Sequence, residues 1–370
     1  MRDVLGIVSF TDWSVFVEGM MDTRSAGAIS FLGRYRLIDF TLSNFTNSGI
    51  DDIQIYVKSK PRSLIEHVQN GNYNINSKRG GLKFLFSTSY INHSIYNNDI
   101  SCYIENMQSI EESDKEYVVL SPAHLVYHLD LNEVINAHKQ QGNDITCVYA
   151  LTDKAKDEFV MHHILDMDKN HRVKKVKRNL GKYKNQAVSL DILVMKKSLF
   201  VELINRAHNT SSLYTLEDIA NDHAKDLKIY GYKYKGIFAN ITSLKAYYDA
   251  SIRIKNIEES RELFNPLWPI HTKTNDSCPT LYFKDAKVVS SVVANGCKIA
   301  GTVINSIIGR NVIVEEGAVV KDSVILPSAY IGAGSHLTNV VVDKYAEVKY
   351  VKELEGTKAN PLYVKRRDRI

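Results

Sequence analysis

Cysteine is scarce. Cys102, Cys147, Cys278 and Cys297 are the only four among 370 residues, and no two form a CxxC pair. A zinc ribbon and a thioredoxin-like site are therefore excluded, and sparse, unpatterned thiols suit a reducing cytosol. No run approaches the ~18 uninterrupted apolar residues of a membrane helix. Asp3, Asp12 and Glu18 interrupt the N-terminal segment, so it lacks a clean signal-peptide core. A dominant charge sign is also missing: 47 basic minus 42 acidic residues leaves +5. That excess is too mild for a nucleic-acid-binding footprint. The expectation is a cytoplasmic protein without nucleic-acid or membrane partners. Its 44% hydrophobic and 24% charged residues are ordinary for globular chains. The length suggests two or three domains.

Short apolar runs are present at Val4–Ser9, Ile53–Val57, Tyr117–Leu120 and Ile145–Ala150. Unbroken runs of this length suit a parallel sheet buried on both faces. Helix signals lie between and after them. Asp130 precedes Leu131–Gln141, which Gly142 stops; Thr215 and Asp218 have capping-box spacing; Ser243 precedes an apolar face of Leu244, Tyr247, Tyr248 and Ile252. Strand–helix alternation argues a nucleotide-binding type of α/β fold.

From about residue 286 the period changes. Ile308, Val314, Val320 and Leu326 recur every six residues, as do Val293 and Ile299, and Ile331 and Leu337. A hexad repeat of aliphatics is the mark of a left-handed parallel β-helix, whose coils bury an apolar wall only when stacked. The phase slips by nine residues between Ile299 and Ile308 and by five between Leu326 and Ile331, which implies bulged corners or a shorter, imperfect helix. Pro266, Pro269 and Pro279 mark Phe264–Tyr282 as a linker packed across two domains.

The block Gly33-Arg-Tyr-Arg-Leu-Ile-Asp-Phe-Thr-Leu-Ser-Asn44, with Asn47-Ser-Gly-Ile50 after it and Ser63-Leu-Ile-Glu-His67 further on, resembles the glucose-1-phosphate adenylyltransferase (ADP-glucose pyrophosphorylase) family. Ser291–Gly301 and Lys321–Pro327 resemble that family's β-helix. The resemblance implies a Rossmann-like nucleotidyltransferase domain over residues 1–260, a linker over 261–285, and a left-handed β-helix with a C-terminal tail over 286–370. It also implies transfer of an adenylyl group from ATP to glucose 1-phosphate. That reaction needs backbone N–H groups, cations and carboxylate-held Mg²⁺ around the phosphates.

Measured against that pattern, the reacting positions are degraded. The family's glycine-rich loop corresponds to Ser9–Val17, which has neither glycine nor Arg and carries Asp12, Trp13 and Phe16. In the RAKP element Ala26 replaces the lysine; Ala123 and Asn240 stand at the two metal-binding Asp positions. Asn98–Cys102 replaces the base-contacting loop, and no counterpart of the EKP lysine lies in Val173–Asn185. Asp191 replaces a glycine whose backbone faces the sugar. No alternative metal cluster is legible, and adjacent His162 and His163 read as a surface pair. No catalytic residue and no cofactor of this chain are expected.

The pattern resembles the family's non-catalytic subunits, which accompany a catalytic glucose-1-phosphate adenylyltransferase subunit in a mixed tetramer. The resemblance implies a regulatory chain in glycogen biosynthesis, with Mg²⁺ held by the partner, and leaves a homo-oligomer open for the chain alone. A divergent but active sugar-phosphate nucleotidyltransferase is the alternative. Arg34, Arg36, Lys58, Lys60 and Arg62 are the expected receivers of an anionic effector. The basic stretch Lys169–Lys184 reads as a solvated hairpin and Lys365–Arg369 as a frayed tail.

Overall fold

The computed structural model describes residues 3–10, 15–76, 78, 80–87, 99–211 and 214–370. The N-terminal apolar runs form a nine-stranded sheet. Val4–Ser9 lies between Asp52–Val57 and Tyr117–Pro122, parallel to both, and Gly81–Phe86 extends the parallel side. Every residue of Asp52–Val57 is buried, as a strand covered on both faces requires.

The sheet is mixed rather than wholly parallel. Gln186–Lys196 runs antiparallel to both Tyr117–Pro122 and Ile145–Thr152, while Ile229–Tyr234 is parallel to Ile145–Thr152. An apolar run records burial on two faces, not strand direction, so this reversal leaves no mark in the residues. The basic stretch contributes the hairpin His163–Met167 and Val173–Arg178 at one edge, with Lys174, Lys175 and Lys177 exposed.

The expected caps form. Asp130 accepts from the Asn132 N–H, and Gly142 ends that helix at φ 61°. Thr215 and Asp218 close a capping box, and Ser243 accepts from the Ala246 N–H. Among the described residues no helix is long and apolar enough to cross a membrane.

The C-terminal region is a left-handed β-helix of three five-stranded parallel sheets. Its inward columns are read directly from the registers: Ile299, Val314, Ile331 and Val348; Val303, Val320, Leu337 and Leu354; Ile308, Ile325, Val342 and Val364. The first phase slip is a shortened corner rather than a bulge. Val303 follows Ile299 through Ala300-Gly301-Thr302, and a Cβ on Gly301 would come within 2.4 Å of the Ala318 carbonyl. The second slip disappears because Ile325, not Leu326, occupies the column. Leu326 turns outward against the N-terminal domain. The first coil already begins at Leu281–Tyr282, which pairs with Lys298–Ile299.

The two domains share an apolar interface in which Phe40, Tyr247 and Ile254 meet Ile307, Val324 and Leu326. The linker is strapped to the helix Leu37–Asn47: Trp268 Nε1 donates to Asn44 Oδ1 at 2.9 Å and Thr272 Oγ1 to Asp39 at 2.6 Å. The tail is ordered, not frayed. Glu347 N–H donates to the Asp368 carbonyl, and Ile370 N–H to that of Glu347.

Candidate functional site

In an open α/β sheet, ligands bind beyond the strand C-termini where the strand order reverses. Here that point lies between Val4–Ser9 and Tyr117–Pro122, whose last residues pair as Ser9 with Pro122. Asp12 and Trp13, and the segment 88–98, lie outside the described residues. Across the point the chain is apolar and tight. Ala123 is fully buried, its N–H bound to the Ser9 carbonyl at 2.8 Å. A Cβ on Gly27 would stand 2.8 Å from the Phe10 ring and 3.1 Å from Ala123 Cβ. Ala26 is buried alongside. Phe10 therefore crowds the backbone at Gly27, beside Ala123. Phe16, expected to obstruct it, points to solvent with 61% of its surface exposed.

Asn240 ends a short strand paired with Leu125–Tyr127, opposite Leu125, so the two degraded metal positions do lie on adjoining backbone. Asn240 Nδ2 and His162 Nδ1 are 3.2 Å apart, and Asn240 Oδ1 is buried without a partner. Mg²⁺ demands near-octahedral oxygen donors, usually with one or two carboxylates among them. A methyl group at 123 and one neutral amide oxygen at 240 do not meet that demand. The residues present do not fit the family's metal.

His162 and His163 are both buried, contrary to the surface reading. A polar partner in each case resolves the cost: Asn240 for His162, and for His163 the Asp191 carboxylate at 3.4 Å. Burial disfavours the His163 imidazolium, but Asp191 and Glu217 outweigh it and raise its pKa to about 9. Asp191 itself sits at φ 53°, a left-handed conformation suited to glycine.

The expected anion receivers are individually engaged. Lys58 is buried and paired with Asp99 at 3.5 Å, Lys60 donates to the Met21 carbonyl at 2.6 Å, and Arg62 forms an exposed pair with Glu66. Arg34 lies over the Tyr35 ring. Each of these cations is met by a local partner that sequence spacing does not reveal. Arg36 donates to the Ser63 carbonyl and also neighbours a group of cations on the seam between the domains. Burial, then Arg36 and Arg24, and further Arg366, push the Lys344 ammonium far below its ordinary pKa. Burial also lowers the Arg36 guanidinium.

Two carboxylates partly offset these cations. Asp343 accepts from Arg24, from Tyr363 OH at 2.6 Å and from the Lys344 N–H. Asp39 accepts from the Arg36 N–H, His67, Tyr73 and Thr272. Arg24 is 3% exposed, yet its Nε and Nη1, like Arg366 Nε, have no partner. Buried donors of positive charge without a protein partner have hydrogen-bonding capacity left for an anion or a water. Sequence reasoning passed over Arg24 because its element was judged by the missing lysine, and Arg366 because the tail was read as frayed. Lys344 carries no local signal.

Comparison with known proteins agrees with this architecture. The family described as Nucleotidyl transferase matches residues 22–176, and that described as GlmU-like, C-terminal hexapeptide matches residues 282–355. The glycogen biosynthesis protein GlgD of Geobacillus stearothermophilus is 32% identical over 86% of this chain and 82% of its own. GlgD of Bacillus subtilis is 29% identical over 99% of this chain and 96% of its own. A glucose-1-phosphate adenylyltransferase of Clostridioides difficile is 27% identical over 81% and 79%.

Proposed function

Because this chain belongs to the family of glucose-1-phosphate adenylyltransferases and GlgD glycogen biosynthesis proteins, we propose that it is a catalytically deficient, regulatory subunit of the glycogen-forming pathway. In this reading it works in the cytoplasm in a mixed tetramer. Its partner is a catalytic glucose-1-phosphate adenylyltransferase subunit, which alone holds Mg²⁺ and makes ADP-glucose. The observation that carries the reading is the closed switch point. Phe10 packs against Gly27 and Ala123 where phosphates must approach, and no carboxylate stands at 123 or 240. Positioning and electrostatics provide most of the acceleration in such transfers, so losing these groups together removes many powers of ten in rate.

The feature offered for regulation is the cation cluster of Arg24, Arg36, Lys344 and Arg366 at the domain seam. An anionic effector bound there would touch both domains and so bias their relative placement. Coupling of such a site to a partner's active site is typically worth about 1–3 kcal/mol. The test is to mix the purified chain with a catalytic homologue. The expected results are no ADP-glucose from this chain alone, a mixed particle of about four chains, and altered maximal rate or effector response. Turnover by the isolated chain would establish a divergent enzyme instead. Identical kinetics with and without the chain would remove the regulatory role.

A further inference from the structure

Among the described residues, one trio of metal-capable side chains converges that includes neither of the family's two metal positions. His163 comes from the strand His163–Met167, Asp191 from the middle of Gln186–Lys196, and Glu217 from the first turn of the helix Leu216–Asp222. One donor atom from each lies within 4.8 Å of the others. Three features suggest a ligand rather than chance. The His163 side chain is only 7% exposed, although it stands beside two carboxylates. The distance between His163 Nδ1 and Asp191 Oδ1, 3.4 Å, is long for a charge-assisted hydrogen bond. It is, however, about the separation of two ligands held roughly 2.1 Å from one tetrahedral zinc ion. Finally, Asp191 presents its carboxylate from a left-handed backbone position, at φ 53°.

We propose that His163, Asp191 and Glu217 bind one divalent transition-metal ion of the zinc class, clamping the sheet edge to the helix Leu216–Asp222. One imidazole nitrogen and two carboxylates form a mixed N/O donor set suited to Zn²⁺. The two negative charges balance the ion, and coordination releases the imidazole proton to solvent. The proposal goes beyond the regulatory reading and does not depend on it.

The full-length chain, stripped with a chelator and dialysed, would be titrated with Zn²⁺ by calorimetry and with Co²⁺ by visible absorption. One equivalent is expected, with tetrahedral cobalt bands and a raised thermal midpoint. His163→Ala and Glu217→Gln should each weaken binding at least tenfold. Asp191→Gly should do the same while folding normally, because glycine is relaxed at that φ. Failure of the wild type to bind a stoichiometric ion would overturn the proposal. So would binding that survives in Asp191→Gly, since the ion would then sit on exposed groups such as His336.

Discussion

Ala123, Asn240 and Asp191 are not passive losses, because each is packed or hydrogen-bonded into its surroundings. Restoring one carboxylate therefore does not restore the site. In the double variant Ala123→Asp/Asn240→Asp, a carboxylate at 123 would enter a fully buried position beside Phe10 and Gly27. Burying an unpaired carboxylate is costly, so we expect a lower melting temperature and no ADP-glucose from ATP and glucose 1-phosphate. Mg²⁺-dependent product from that variant would refute the closed-pocket reading. A second residue-scale prediction concerns pH. His138 is buried against Thr146, and burial lowers its pKa to about 4. The unfolded chain takes up a proton near pH 6.5, whereas the native imidazole stays neutral until about pH 4. The stability this contributes is complete above pH 6.5 and is lost progressively as pH falls toward 4. Urea midpoints at pH 7.5 and 5 should diverge more for the wild type than for His138→Gln; equal divergence would remove His138 from the acid sensitivity.

At the scale of elements, the β-helix depends on its inward columns. Leu337 is fully buried between Val320 and Leu354 in neighbouring coils. Leu337→Ala should cost about 2–5 kcal/mol, the usual range for a large aliphatic lost from a packed core. Leu354, half-buried in the last coil, should cost less when truncated. Equal losses in denaturant titrations would mean that the coils do not stack as independent layers. The same columns illustrate what the sequence can disclose. Hexad spacing identified the β-helix because its period is local, but it assigned Leu326 to a column that Ile325 occupies. Two aliphatics in succession leave the inward one undecided until the neighbouring coils set the register. Caps at Asp130, Thr215 and Ser243 were legible for the same local reason. Strand direction in the sheet, the partners of Lys58 and Lys60, and the meeting of His163 with Asp191 were not. All of these depend on contacts between residues far apart in the chain.

For the molecule as a whole, the decisive feature is the charged seam between the domains. The Arg24–Asp343 pair joins the two ends of the chain and is almost wholly removed from water. Such a pair contributes little net stability when intact, but removing one partner leaves an uncompensated buried charge, at a cost of about 3–5 kcal/mol. Asp343→Asn would leave Arg24 and Lys344 unopposed, with Arg36 and Arg366 adding to the repulsion. We expect a large fall in melting temperature at low ionic strength and faster proteolysis of the Phe264–Tyr282 linker as the domains separate. If the seam is an anion site, sulfate or phosphate should restore much of the loss by replacing the missing negative charge. Chloride at matched ionic strength should do less, because screening acts weakly on buried charges. Sulfate should also raise the wild-type melting temperature, though by a smaller margin, since Asp343 already neutralises part of the cluster. If sulfate and chloride protect the variant equally, general screening explains the seam, and the cations of Arg24, Arg36, Lys344 and Arg366 do not form a receptor for an anion.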